Sequence, residues 1–303
     1  MGQLRPFRLN PAHNLMKPTE TERPARDAAS LVLLRDGSSG LEVLLLRRHA
    51  DSRVMGGVHV FPGGKLDPTD CSPDALAALD LEAEQLLSRF DEAALSPEKA
   101  AGLHLAALRE TFEEAGLLLA EGADAEARQA LADRQTAGEA LADAMAALGL
   151  RWQASAIRPW SRWITPRHQA AGAAFDTRFF LARLPAGQEA SHDGYETTEA
   201  VWLAPRQALA LHAEHRLELV PPQLMSLAKL ARHADVDSAW NEALTSRPAH
   251  IQPEASEVDG ERLLYLPGDP LHSVRERALP GPTRLRWLER RFEPLGGFEA
   301  WFD

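Results

Sequence analysis

The order of apolar and polar positions divides the chain into four stretches. Two short apolar runs, 29–34 and 41–47, flank the turn-forming Asp-Gly-Ser-Ser-Gly at 36–40, which predicts a β-hairpin. Val-His-Val-Phe-Pro-Gly-Gly, at 58–64, reads as a third short strand ending in a turn. From 72 to 148 the period becomes helical. Ser72-Pro73 and Ser96-Pro97 each have the form of an N-cap followed by proline at the first helical position. They predict one helix over about 73–93 and a second from about 97 to Gly116, with an alanine-rich helical run following up to Gly149. Strand patterns return at 158–166, 175–185 and 197–205, and after 204 the chain is again helical, apart from a late strand or hairpin near 261–269.

Strands, helices, strands and helices in that order predict an α/β (α+β) fold, a mixed sheet with helices on its faces. Residues 1–26 are polar and proline-rich and read as a surface tail or arm. Residues 27–303 are expected to form a single domain, with a mostly helical C-terminal extension over 205–303.

Composition narrows the function classes. The formal charge of −11 argues against a non-specific nucleic-acid binder, which needs a basic face. A single cysteine, Cys71, leaves no intrachain disulfide framework and no cysteine-based zinc site. Neither a secretory leader pattern nor an apolar run of about 18 residues is present, so no membrane association is expected and the cytoplasm is the default location.

The candidate chemistry is acidic. In Arg-Glu-Thr-Phe-Glu-Glu-Ala-Gly at 109–116, Glu110 and Glu114 share a helix face and Glu113 flanks it. Arg109, one turn before Glu113, can hold that carboxylate, while Leu105, Leu108, Phe112 and Ala115 form a face to bury. Taken alone, such a cluster is most simply a solvated helix face. It becomes a site if a hard cation such as Mg²⁺ or Mn²⁺ removes the repulsion and clamps a diphosphate. Trp160 and Trp163 are read first as core residues and second as platforms for a base.

Residues 109–117 resemble the second half of the Nudix box, G-x5-E-x7-R-E-U-x-E-E-x-G-U, through Arg109, Glu110, Glu113, Glu114, Gly116 and Leu117, with Thr111 departing at the first apolar position. The first half is similar to 64–70, where Gly64 opens the box and Asp70 stands in place of Glu. Between the halves lie about 31 extra residues, roughly 71–101, with seven acidic and two basic side chains. They read as an amphipathic helix inserted in the box, and loop insertion is thermodynamically mild. This insertion is expected to border the substrate mouth and gate long acyl groups.

Upstream, Leu44, Leu45, Arg48, Arg53, Gly57 and Phe61-Pro62-Gly63-Gly64 resemble the signature of the coenzyme A diphosphatase branch, with Leu46 and His49 departing from it. Together with Trp-Ile-Thr-Pro-Arg-His at 163–168, Phe-Asp-Thr-Arg-Phe-Phe at 175–180 and Pro-Pro-Gln at 221–223, the interrupted box is similar to the Nudix 19-like branch. The resemblance implies a Nudix α/β/α sandwich and a Mg²⁺- or Mn²⁺-dependent pyrophosphatase. Its substrate would be CoA or acyl-CoA, cut at the diphosphate to 3′,5′-ADP and a 4′-phosphopantetheine product. It places the metal on Glu110, Glu113, Glu114 and the Gly64 carbonyl, and substrate contacts on Arg48, Arg53, Gly57, Phe61 and Gly63. Arg109 would orient Glu113, and the general base stays open among Glu110, Glu196 and Glu199. Other nucleotides (ADP-ribose, a dinucleoside polyphosphate, NADH) and a non-catalytic binding module are the alternatives, and a homodimer is allowed.

Overall fold

The computed structural model describes residues 25–52, 56–166 and 174–303. The expected hairpin forms from β1 (Arg26–Gly37) and β2 (Gly40–Arg48), which pair antiparallel from Leu34 opposite Val43 to Gly37 opposite Gly40. β3 (His59–Val60) pairs with β2, and β4 (Gly63–Lys65) pairs with β1. A 3-10 turn over Pro68–Cys71 follows, then α1 (Pro73–Ala77), α2 (Ala83–Leu87) and the long α3 (Pro97–Ala115). Next come β5 (Ala120–Glu121), α4 (Ala125–Thr136), α5 (Leu141–Ala147) and β6 (Arg151–Trp152), with β5 and β6 forming a small two-stranded sheet. β7 (Ile157–Ile164), β8 (Phe175–Arg183) and β9 (Thr197–Leu203) complete the central strands.

The main sheet runs β7-β8-β1-β2-β3, with β9 beside β2, and its β1–β8 pair is parallel while the neighbouring pairs are antiparallel. It is therefore mixed, as the element order predicts. Both faces are covered, which explains why β1 and β2 read as near-continuous apolar runs. Leu31, Leu33, Leu44 and Leu46 point to the face carrying α3. Val32, Leu34, Val43 and Leu45 point to the other, where the helices after β9 pack.

Those helices are α6 (Pro205–Ala213), α7 (Pro221–Leu230) and α8 (Val236–Thr245). Beyond them the expectation of a mostly helical extension is corrected. β10 (Ala249–Ile251) joins the edge of the main sheet parallel to β7. Then β11 (Glu254–Val258), β12 (Glu261–Tyr265), β13 (Arg284–Leu288) and β14 (Arg291–Pro294) form a four-stranded antiparallel sheet in sequence order. These strands are short and charged on their outer positions, so only their inward residues, such as Leu264 and Leu285, carry the apolar signal.

The inserted segment is also corrected. It is two one-turn helices rather than one helix over 73–93. Between them the chain leaves helical geometry to pair with β6. The Trp152 N–H donates to the Ala78 carbonyl at 2.8 Å, and the Asp80 N–H to the Trp152 carbonyl at 3.0 Å. The Asp80 carboxylate accepts from the Ser155 N–H at 3.0 Å. Tertiary pairing has won over a helical period that a weakly amphipathic segment could not enforce alone.

α3 begins as its sequence dictates. The Ser96 hydroxyl accepts from the Lys99 N–H at 3.2 Å and Pro97 opens the first turn. Gly116, with φ of 67°, ends it in the left-handed conformation. The expected buried face forms with Leu105, Leu108, Phe112 and Ala115. Thr111, polar where the box pattern calls for an apolar residue, is fully buried because its hydroxyl donates to the Ala107 carbonyl one turn back, at 2.7 Å.

Candidate active site

The last two turns of α3 carry Arg109, Glu110, Glu113 and Glu114 to the edge of β4. The Phe-Pro-Gly-Gly turn is held against β1 from both sides. The Leu31 N–H donates to the Pro62 carbonyl at 2.8 Å, and the Ser30 hydroxyl donates to the same oxygen at 3.0 Å. Phe61 anchors the turn in the core, edge-on to Phe179 at 6.2 Å. Gly63 then crosses β1 so closely that a Cβ there would stand 2.4 Å from the Ala29 carbonyl oxygen. At Gly64 a Cβ would stand 2.3 Å from a Glu110 carboxylate oxygen. Gly63 needs glycine because backbone stands in the way, whereas a side chain at Gly64 would push the Glu110 carboxylate away from the backbone.

The two halves of the interrupted motif meet through one arginine. Arg109 donates from Nε to Asp70 Oδ1 at 3.0 Å and from Nη2 to Asp70 Oδ2 at 3.1 Å. From Nη1 it donates to Glu110 Oε1 at 2.9 Å and Glu113 Oε2 at 2.8 Å. Asp70 is itself buried and accepts from the Asp67 N–H at 2.9 Å. The shorter Asp side chain still makes a bidentate contact. Glu114 is held separately, accepting from the Gly63 N–H at 2.9 Å.

Burial pushes the Glu114 carboxyl up to about 8, and the nearby Glu110 and Glu196 charges add to the effect against the Gly63 hydrogen bond and Arg48. Glu110 and Glu113 are also raised, by burial first, although Arg109 opposes it. Partly buried carboxylates that resist ionisation are a donor set short of positive charge. An all-oxygen set of carboxylates with a glycine carbonyl suits a hard divalent cation, so these residues fit one. As the side chains stand, no three acidic, histidine or cysteine side chains converge on one metal-sized point among the described residues. The Arg109 guanidinium draws Glu110 and Glu113 toward itself instead.

Glu110, Glu114, Arg109, Gly63 and Gly64 line one end of a cleft of about 680 Å³. Arg48 and Phe61 line it as well, and so does Glu196. The turn before β9 sets Glu196 in place, because Asp193 accepts from the N–H groups of Tyr195 and Glu196, both at 3.0 Å. Glu199 does not join them. It lies on β9 opposite Arg47 with its carboxylate 3.7 Å from His59 Nε2 and is not among the residues that line the cleft. Glu113 is not among the residues that line the cleft and, among the described residues, is held by Arg109. Gly57 closes a turn by donating its N–H to the Arg48 carbonyl at 3.2 Å and does not line the cleft, which puts its contribution in the backbone. Arg53 lies outside the described residues, as do Arg167 and His168.

Sequence reasoning missed the far wall. Gln223 at the start of α7, Pro253 after β10, Leu264 of β12 and Phe292 of β14 all line the cleft. Pro-Pro-Gln entered only as part of a resemblance, and nothing local marked the C-terminal strands as neighbours of the site. No residue of the 71–101 segment lines the cleft, so the expected gate at the substrate mouth is corrected as well.

Comparisons with known proteins point to one family. A family model described as the NUDT19 Nudix domain matches residues 19–230. Acyl-coenzyme A diphosphatase NUDT19 of Xenopus laevis is 28% identical over 243 residues, 67% of this chain and 63% of that protein, so the match spans less than two thirds of that relative. The protein of the same name from Gallus gallus is 27% identical over 307 residues, 82% of this chain and 79% of that one. Among solved structures, a NUDIX hydrolase from Alicyclobacillus acidocaldarius superposes with a TM-score of 0.57 at 28% identity, covering 75% of this chain and 99% of that one.

Proposed function

Because the chain belongs to the NUDT19 Nudix domain family, we propose that it is a Mg²⁺- or Mn²⁺-dependent pyrophosphatase that cuts CoA or acyl-CoA at the diphosphate. The products are 3′,5′-ADP and (acyl-)4′-phosphopantetheine. The observation that supports this most directly is the meeting of Glu110 and Glu114 with the Gly63-Gly64 strand at the end of a cleft that also presents Arg48.

In this reading Glu110, Glu113 and Glu114 hold the cation, with the Gly64 carbonyl completing the set. The bound ion supplies positive charge against the diphosphate oxygens, where charge develops as the phosphorus–oxygen bond breaks. Arg109, anchored by Asp70, positions Glu110 and Glu113 and keeps their repulsion in check. Arg48, which lines the cleft, would donate to a phosphate oxygen. Glu196, on the loop facing the acidic helix, takes the proton of the attacking water. Water adds to one phosphorus, the bridging oxygen leaves with the other, and both products end as phosphates.

The test is turnover of CoA, acyl-CoA, ADP-ribose, NADH and dinucleoside polyphosphates with Mg²⁺ or Mn²⁺. CoA-type substrates are expected to be preferred, and Glu114→Gln to lower kcat by about 100-fold or more with the fold intact. Preference for a nucleotide without the pantetheine arm would overturn the substrate assignment. Equal rates for wild type and Glu114→Gln would overturn the site.

A further inference from the structure

The cleft has two chemically different halves. Its acidic end has just been described. Away from it the walls are apolar, built by Phe175 of β8, Pro221 and Pro222 at the start of α7, Pro253, Leu264 and Phe292. Among the described residues, the basic side chains that line the cleft are Arg48, Lys65 and Arg109, all on elements of the acidic end. Among the described residues, a phosphate in the far half would meet no side-chain countercharge, and an uncharged group suits these walls.

Two polar atoms in that half have no partner. Trp163 Nε1 and Gln223 Oε1 are withdrawn from water and make no hydrogen bond among the described residues, although both side chains line the cleft. Trp163 is 4% exposed and Gln223 5%. An unpaired buried polar atom is costly, so a pair of them in a cavity wall is an unmet demand that a ligand can satisfy. Turning the glutamine amide over only replaces an unpaired acceptor by an unpaired donor.

We propose that the half of the cleft walled by α7 and the C-terminal sheet is the subsite for the amide-bearing pantetheine arm and its acyl chain, with Trp163 and Gln223 reading an amide of that arm. This rests on the CoA-type reading above. A secondary amide carries both a carbonyl, which the Trp163 N–H can meet, and an N–H, which the Gln223 oxygen can meet, and the arm has more than one amide. The adenosine half carries a ribose phosphate and belongs with Arg48 and Lys65. The prolines, Leu264 and Phe292 then receive the acyl chain, a role that falls to the C-terminal extension rather than to the inserted segment.

The experiment separates the two halves of the substrate. S-octanoyl-pantetheine and 3′,5′-ADP are each titrated calorimetrically into wild type, Gln223→Leu and Trp163→Phe, and CoA turnover is measured alongside. Trp163→Phe removes the N–H while keeping an aromatic ring in the wall, so it remains informative if Gln223→Leu folds poorly. The arm is expected to bind each variant about 5- to 10-fold more weakly, the worth of one hydrogen bond, with 3′,5′-ADP unchanged. Equal weakening of both ligands, or unchanged binding of the arm, would overturn the subsite while leaving the hydrolase reading intact. A wild type that binds the arm as described and leaves CoA uncut would overturn the hydrolase reading and support the subsite.

Discussion

Asp70 shows how much a single side chain can rejoin. Its carboxylate lies 39 positions from Arg109 in sequence and meets it in a two-point hydrogen-bonded pair. Arg109 in turn fixes Glu110 and Glu113. Asp70 never touches the substrate in this scheme, so it is a positioning residue, and its loss should act through the cation. Asp70→Asn keeps the shape and removes the charge. It is expected to raise the Mg²⁺ concentration for half-maximal activity by about 10-fold, with kcat at saturating metal changing less. A metal-titration series on both proteins checks this, and an unchanged midpoint would remove Asp70 from the site. The same arginine was legible in the sequence by its spacing to Glu113. Its hold on Asp70 was not, because no helical periodicity crosses an insertion.

At the scale of elements, the inserted segment is fastened to the sheet by charge as well as by Leu79, Leu86 and Leu95. Arg178 of β8 is almost fully buried and meets Glu92 at 2.7 Å and Asp27 at 2.6 Å. Arg162 of β7 reaches the same Glu92 at 2.9 Å. The segment's acidic residues are thus partly a docking device, which argues for a structural role and against a mobile gate. Arg178→Ala removes the buried cation shared by Glu92, Asp27 and Asp176, leaving them to Arg162 and Lys99 at the edge of the cluster. It is expected to cost about 3 kcal/mol of stability, read as a lower urea midpoint. A change under about 0.5 kcal/mol would show that these ions are solvated after all. The hydrophobic period predicted the existence of helix in this segment. Its interruption depended on Trp152, some seventy residues away, and no window of local sequence contains that partner.

For the whole molecule, the sheet separates two cores, one under α3 and one under α6–α8 and the C-terminal strands. His104 sits in the first, fully buried, 4.7 Å from Phe180 and 5.4 Å from Phe90. It donates Nδ1–H to the Ala100 carbonyl at 2.8 Å. Burial lowers its pKa from 6.5 to about 3, with Arg89 and Arg158 adding to the effect against the Ala100 hydrogen bond. The folded state therefore binds this proton less readily than the unfolded chain. Stability is unaffected by His104 well above pH 6.5 and falls as pH drops from there toward 3. Between pH 7 and pH 5 the loss from this one group is about 2 kcal/mol. His104→Gln does not titrate, so its denaturation midpoint should fall correspondingly less over that interval, although it is less stable at pH 7. Parallel acid sensitivity of the two proteins would show that His104 is protonated in the native state.

The sequence by itself determined what local periodicity and short motifs can carry. It set the β1–β2 hairpin by a turn between apolar runs and α3 by its Ser-Pro cap and Gly116 stop. It also placed the carboxylates on one face and the two glycines before them, because these depend on neighbours a few residues away. Only the tertiary structure decided that Glu196 and not Glu199 lines the cleft, since one position sits on the turn before β9 and the other within the strand beside Arg47 and His59. Tertiary packing also decided that Asp70 closes the interrupted motif, and that residues beyond 249 fold as a sheet to wall the apolar half. The physical reason is the same in each case. Side-chain direction within an element repeats every two or 3.6 residues and can be read along the chain, whereas which elements come together is settled by burial and hydrogen-bond satisfaction over the whole fold.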